Sequence, residues 1–483
     1  MAAIGAMKLL RRAIQAFDDR TGLVTAMRQI AMHPVPPGTG WSYVFGSAVM
    51  IAFIIQVVTG TALAMGYVAS AGDAYQALGF ITNNAFMGSF LRGMHFFGAS
   101  AMVLLLGIHM TQVFVMGCYK YPRELNWITG VVLLVLVVGI GFTGQLLRWD
   151  QIAVWAVVVA AEQASRVPVI GTPLARFILG GNTLGAQTLS RFFAMHVFFI
   201  PGLIFAFVGI HLLLVLHDGI SEPPVLGEKV EPKTYLARYH KLLAERGVPF
   251  WPDAAWRDVV FGFAVVVAIA LLAWFAGPPR LGPPPNPSLL AQDPAPDWYL
   301  LWYYAALALI PHGLTAPFIV LAPVIGILIL LIVPPLWNRG ERHPLKRPWA
   351  VAATIIVWLV VGTLWLEGIK APWSPRFEAK PLPVAVIGAS SGPVYRGGVL
   401  FHTKGCEFCH AVSGYGGARG PDLSTIGDQL TREELTSRIL NGGYNMPAFA
   451  SILRPDELTD VVAFLQSRSV KRSSPAQQAL ATH

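Results

Sequence analysis

Seven stretches of about 20 apolar residues recur along the chain, each long enough to cross the hydrocarbon core of a bilayer as a helix. They predict transmembrane helices at roughly 41–66, 88–117, 126–147, 190–216, 258–276, 316–336 and 349–367. Residues 1–40 follow a different pattern. Arg11, Arg12, Asp18, Asp19 and Arg20 interrupt every apolar run, and no small-residue cleavage site follows. The segment reads as an amphipathic surface helix rather than a signal peptide. Past the seventh span the long apolar runs stop. Residues 368–392, rich in Pro, Ala, Ser and Gly, read as a linker, and 393–470 as a small soluble helical domain with amphipathic stretches such as 456–466. Residues 471–483 read as a polar tail. The expected fold class is all-α: a seven-helix transmembrane bundle over 41–367, followed by a small helical domain.

Composition agrees with this picture and narrows the function. Of 483 residues, 54% are hydrophobic and 13% charged, about half the charged share of an ordinary soluble domain. A secreted disulfide scaffold, a disordered protein and a typical cytosolic enzyme are excluded, and three cysteines cannot build a disulfide framework. The net charge of +9 gives no reason to expect nucleic acid, because of where it lies. Segments 1–40, 118–125, 217–257 and 337–348 hold five, two, six and four Lys or Arg, whereas the alternate loops 67–91, 148–189 and 277–315 hold none, three and one. Basic loops stay in the cytoplasm. The N-terminus is therefore expected on the cytoplasmic side of a prokaryotic inner membrane, and the C-terminal domain on the outer, periplasmic side.

The C-terminal domain carries Cys406-Glu407-Phe408-Cys409-His410, the Cys-x-x-Cys-His signature of covalent haem attachment. Two thiols one helical turn apart meet the haem's two vinyl groups, and the adjacent histidine ligates the iron. A zinc half-site would need a second cysteine pair, which the chain lacks. Met446 lies 36 residues after His410 in Asn445-Met446-Pro447. It is the candidate second ligand, the alternative being core filling. Gly420-Pro421 is similar to the Gly-Pro step of class I cytochromes c, whose Pro carbonyl orients the ligand imidazole.

Four histidines fall inside the membrane spans, where ionisable residues are functional suspects. His95 and His109 are 14 residues apart on the second span, and His196 and His211 are 15 apart on the fourth. Each separation is about four helical turns, or about 21–22 Å along the axis. Paired across two helices, they would clamp two planar haems, one near each membrane surface. The first span carries Gly46 and Gly60 and the third Gly130 and Gly144, again 14 apart. Glycine lets a bulky group approach the backbone, although glycines also serve helix packing in membranes. Arg92 and Arg191 precede the outer histidine of each helix and are candidates to pair with haem propionates.

With these residues in place, 1–367 resembles cytochrome b of the quinol-oxidising bc and bf complexes, and the C-terminal domain resembles a class I cytochrome c. The resemblance implies two non-covalent bis-His haems b, the outer on His95 and His196 and the inner on His109 and His211, and one covalent haem c on His410 and Met446. The seven helices and the 15-residue separation are similar to the bf branch. Val44 replaces the cysteine that holds that branch's extra covalent haem, so no such haem is expected. Pro296-Asp297-Trp298-Tyr299 resembles the Pro-Glu-Trp-Tyr motif of the quinol oxidation site, with Asp in place of Glu, and Tyr304 matches another aromatic of that site. A carboxylate there is a reasonable acceptor for quinol protons. The segment 144–155 matches the helix covering the site and departs from it at Arg148 (for Pro) and Asp150 (for Gly). On the inner side, His217 and Asp258, the latter reached through Pro249-Phe250-Trp251-Pro252 and Arg257, resemble the quinone-contacting pair. Cys118, also at an inner helix end, reads as a buried small residue.

The resemblance further implies a Rieske iron–sulfur partner, a c-type cytochrome or terminal oxidase as acceptor, the quinone pool, membrane lipid and a homodimeric complex. The expected reaction is quinol oxidation at the outer site with bifurcation, one electron to the iron–sulfur protein and haem c and one across both haems b to an inner quinone, with proton translocation. The rivals are a dihaem anchor relaying electrons between a dehydrogenase and quinone without bifurcation, and a non-enzymatic haem carrier or redox sensor.

Overall fold

The computed structural model describes residues 2–286, 295–310, 312–370, 380–417, 420–442, 446, 448–450 and 452–469. Two amphipathic helices open the chain, α1 (Ala2–Thr21) and α2 (Leu23–Ala31). None of the α2 residues is buried, and Met27 and Ile30 are exposed beside Arg28, as an interfacial helix requires.

The bundle follows: α3 (Phe45–Gly66), the short α4 (Ala74–Asn83), α5 (Gly88–Val115), α6 (Glu124–Leu146), then α7 (Gln151–Ser165) and α8 (Gly171–Leu179). The fourth span is composite. It consists of α9 (Ala186–Ala194), a π-turn at Met195–Phe199, and α10 (Ile200–Asp218). After α11 (Tyr235–Arg246) come α12 (Ala255–Phe275), α13 (Leu301–Leu309), α14 (His312–Trp337) and α15 (Pro348–Lys370). Among the described residues seven helices are long and apolar enough to span a membrane, and they coincide with the predicted runs. A helix satisfies its backbone N–H and C=O groups within its own segment, as lipid demands. The α7–α8 pair has no predicted counterpart as a unit, because 15- and nine-residue helices fall short of a span.

Three two-residue antiparallel ladders are the strands among the described residues. β1 (Pro34–Val35) pairs with β3 (Val248–Pro249), β2 (Lys229–Val230) with β4 (Gly340–Glu341), and β5 (Ala411–Val412) with β6 (Tyr415–Gly416). The first two join segments that the charge count assigns to one membrane face. The same loops share a buried ionic network. Arg123 donates to Gly219 O and Tyr235 Oη, both at 2.7 Å, Tyr235 donates to Glu222 Oε2 at 2.7 Å, and Arg342 pairs with Glu222 Oε1 at 2.8 Å. Breaking a buried pair by removing one partner costs about 3–5 kcal/mol. Glu222→Ala is therefore expected to lower the melting temperature of the detergent-solubilised protein, with the sign and size read directly from a melt.

The C-terminal domain contains α16 (Val384–Ile387), α17 (Gly392–Thr403), α18 (Arg432–Asn441) and α19 (Pro455–Gln466). Phe401, Val461, Phe464 and Leu465 centre its core. A Cβ on Gly397 would overlap the Asp460 carbonyl, so glycine lets α17 and α19 touch. Leu382, Val386 and Ile387, from the stretch read as linker, are buried in this core.

Candidate functional site

The four histidines come together in two pairs across α5 and the fourth span. The His95 and His196 rings lie 6.2 Å apart, centroid to centroid, at 78°. One metal–imidazole bond of about 2 Å plus roughly 1 Å to the ring centre, counted from both sides, gives about 6 Å. Two imidazoles opposed on one iron need that spacing. His109 and His211 line a common, mostly apolar cavity of about 650 Å³. Four polar atoms lining it, His33 Nε2, Tyr43 Oη, His109 Nδ1 and Asn126 Oδ1, are buried without a protein partner, as a site for a large apolar group with polar ends requires. Among the described residues no cluster of three or more His, Cys, Asp or Glu could hold a bare metal ion. The paired histidines fit haem.

The 14- and 15-residue separations are reconciled by the π-turn. His196 sits in it, and an i→i+5 turn takes up one residue more than an α-turn. The extra residue would otherwise rotate His196 by about 100° away from His95.

The glycines face the histidines themselves. A Cβ on Gly46 would lie 3.1 Å from His109 Cε1, on Gly60 3.0 Å from His95 Cε1, on Gly130 3.8 Å from His211 Cε1, and on Gly144 2.6 Å from His196 Cε1. Three of these glycines follow a threonine that the sequence reading did not single out. Thr59 Oγ1 meets His95 Nδ1 at 3.0 Å, Thr129 Oγ1 meets His211 Nδ1 at 2.8 Å, and Thr143 Oγ1 meets His196 Nδ1 at 3.2 Å. Each hydroxyl donates to a carbonyl of its own helix, so it accepts from Nδ1–H and leaves Nε2 bare toward an iron. The signal was the Thr-Gly pair repeated at three of four sites. A hydrogen-bond partner on the far nitrogen of a metal-binding imidazole is worth about 10–100-fold in metal affinity or activity. Thr143→Val is expected to loosen the outer haem, read as a shifted midpoint potential or reduced haem b occupancy in the purified protein.

Arg92 is buried and donates to Thr82 Oγ1 at 3.1 Å and Pro279 O at 2.9 Å. Arg191 is exposed and donates to Phe177 O at 3.0 Å. Both guanidiniums thus have protein partners in this arrangement.

Asp297 immediately precedes a short turn at Trp298–Leu300 leading into α13, and Trp298 Nε1 donates to Ser100 Oγ on α5 at 3.2 Å. Pro296, Asp297 and Tyr304 are half-buried. Burial pushes the Asp297 carboxyl above the usual carboxylate range, and the Arg148 cation pulls it back. The Tyr299 ring points at α6, where a Cβ on Gly141 would overlap its hydroxyl. The turn between α6 and α7 is fastened to this loop. Gln145 Nε2 donates to Ala295 O at 3.3 Å, Gln151 N to Pro283 O at 2.9 Å and Gln151 Nε2 to Asn286 O at 2.9 Å.

At the other end, Asp258 lines the cavity with Arg257. Ser47, adjacent to Gly46, donates to Asp258 Oδ1 at 2.6 Å; sequence reasoning missed it. Cys118 is a half-buried wall residue. His217 departs from the expectation that it joins Asp258. Its side chain is 81% exposed and paired with Asp218 Oδ1 at 2.8 Å, and it is not among the cavity's lining residues.

In the C-terminal domain His410 Nδ1–H donates to Pro421 O at 2.9 Å, which fixes the tautomer that leaves Nε2 for iron. A Cβ on Gly420 would overlap the His410 ring. Cys406 and Cys409 form no disulfide, and Met446 packs against the domain core. This donor set fits a covalent haem.

Known proteins support both parts. The family model Cytochrome b/b6/petB matches residues 30–219, and that of cytochrome c oxidase, cbb3-type, subunit III matches 394–465. The chain is 38% identical over 223 residues to the menaquinol:cytochrome c reductase cytochrome b subunit of Bacillus subtilis, covering 44% of this chain and 100% of that one. It is 40% identical over 203 residues to a cytochrome b6 of Heliobacterium modesticaldum, covering 42% and 95%. A solved hyperthermophilic respiratory Complex III chain shares the fold, with a TM-score of 0.64 and 24% identity over 82% of this chain and 96% of that one.

Proposed function

The chain belongs to the cytochrome b/b6 family and carries a c-type cytochrome domain fused behind it, and from that premise we propose that it is the cytochrome b/c subunit of a bifurcating quinol:cytochrome c oxidoreductase. The observation that carries the reading is the His95–His196 pair at 6.2 Å, on a bundle whose α5 also meets the loop bearing Asp297 through Trp298 and Ser100. When bound, haem supplies one-electron transfer: the b pair across the bilayer and the c haem toward an external acceptor.

The residues divide the remaining work. Quinol oxidised on the outer side gives a proton to Asp297, which the half-buried setting keeps basic enough to accept it. Tyr299 and Tyr304 wall that site. The first electron goes to a Rieske iron–sulfur partner and the second inward. On the cytoplasmic side Asp258, oriented by Ser47, delivers protons to quinone, with His217 at the rim. Protons leave outside and enter inside, so turnover charges the membrane. The four histidines would hold the two haems b, and the three threonines orient His95, His196 and His211 for that task.

The experiment is purification of the complex from native membranes. A pyridine haemochrome of two haems b per haem c, co-purification of an iron–sulfur subunit and quinol-dependent cytochrome c reduction support the reading. Quinol oxidation that proceeds at full rate without any iron–sulfur subunit would instead favour the dihaem anchor.

A further inference from the structure

Arg148 departs from the family's pattern beside the outer site, and its surroundings give it a task. It lies in the turn between α6 and α7, where Trp149 is held at φ 45°, a left-handed conformation uncommon for a bulky residue. That bend brings the side chains of Arg148 and Asp150 together as an ion pair, with Asp150 fully buried and Arg148 23% exposed. Asp150 is fixed on three sides. It pairs with Arg148, caps α7 by accepting from Ala153 N at 3.0 Å, and accepts from Gly282 N at 2.9 Å. Arg148 Nε is buried without a partner. The cation is therefore anchored at one edge and unsaturated at another.

The same turn is tied to the loop that carries Asp297 through Gln145 and Ala295, two residues before the carboxylate. Arg148 is the charge that acts on Asp297 in the direction opposite to burial. The groups around the pair are Asp150 and Asp297, Tyr299 beside Asp297, and Arg92 from α5. Strained backbone held in place by its surroundings concentrates at functional sites.

We propose that Arg148 is a positioning residue of the quinol-oxidation site, a cation fixed by Asp150 that keeps the Asp297 carboxylate ionised and ready to take a quinol proton. The proposal rests on the reading of Asp297 as that acceptor. In the step, a quinol O–H bond breaks, its proton forms an O–H bond on Asp297, and the electron leaves to the iron–sulfur partner. Arg148 itself neither gains nor loses a proton. It is paired with Asp150 and its charge also lowers the proton affinity of Asp297, so loosening the Asp150 pair alters its effect on Asp297.

The test is stopped-flow reduction of the chain's haems by a decyl-substituted naphthoquinol, whose low potential makes oxidation downhill, in membranes holding the assembled complex. The rate is followed from about pH 5.5 to about pH 8.5. Arg148→Gln is expected to move the acidic fall-off to higher pH, with a loss of roughly tenfold at about pH 6 and little loss at about pH 8.5. Asp150→Asn, which keeps a capping side chain and frees Arg148 for Asp297, should move the fall-off the opposite way. Arg148→Lys should restore the wild-type profile. A uniform loss at every pH in Arg148→Gln, with normal haem spectra, would overturn the proposal by making Arg148 purely structural. Unimpaired quinol oxidation in Asp297→Asn would instead overturn the reading of Asp297 on which it rests.

Discussion

Replacing His196 by leucine is expected to remove one haem b per chain and to stop electron flow from quinol to the inner site, while the covalent haem c stays in place. His196 is one of two imidazoles at the spacing one iron needs, and leucine offers no lone pair. His95 alone would be left as the one protein side chain to hold that haem. The haemochrome ratio should fall from two haems b per haem c to one, and reduction of the inner haem by quinol oxidised at the outer site should fall to background. His211→Leu should take the other haem. A haem-stained gel retaining signal at full length in both variants separates ligand loss from failure to assemble. If His196→Leu kept two haems b with unchanged spectra, the pairing would be wrong.

The second large effect is at Asp297. Asp297→Asn keeps the size of the side chain and its place before Trp298, but removes the base. A positioned general base is worth about 10²–10⁴-fold, and quinol oxidation should fall by that order while both haems b remain reducible by dithionite. The pH dependence has a definite sign. Asp297 accepts a proton only when ionised, and burial raises its proton affinity. The wild-type rate should therefore fall as pH drops through its titration, whereas the residual rate of the variant should lack that acidic limb. An Asp297→Asn profile that keeps the limb would assign it to another group.

Much of this was legible in the chain because lipid and covalent chemistry impose narrow patterns. Span lengths follow from bilayer thickness, and Cys406-x-x-Cys409-His410 follows from vinyl geometry. His95 and His109 declared themselves by sitting inside a span. What remained hidden depends on three-dimensional detail. The π-turn at 195–199 left only a one-residue discrepancy in spacing. Thr59, Thr129 and Thr143 were not singled out, because only the fold brings their hydroxyls against imidazole nitrogens. Ser47 and Asp258 are 211 residues apart, and no periodicity links them. His217 shows the converse: its place at a helix end was legible, but not its rotation toward Asp218.

The central claim is that quinol oxidation at the outer site splits its two electrons between opposite routes. The direct measurement is haem b absorbance in the assembled complex, with quinol present and inner-site turnover blocked by an antimycin-like inhibitor, after a rapid pulse of oxidant. Drawing one electron from the quinol through the iron–sulfur partner forces the other onto the b haems, so their transient reduction on adding oxidant is predicted. Simple oxidation of the b haems under the same pulse would contradict the account.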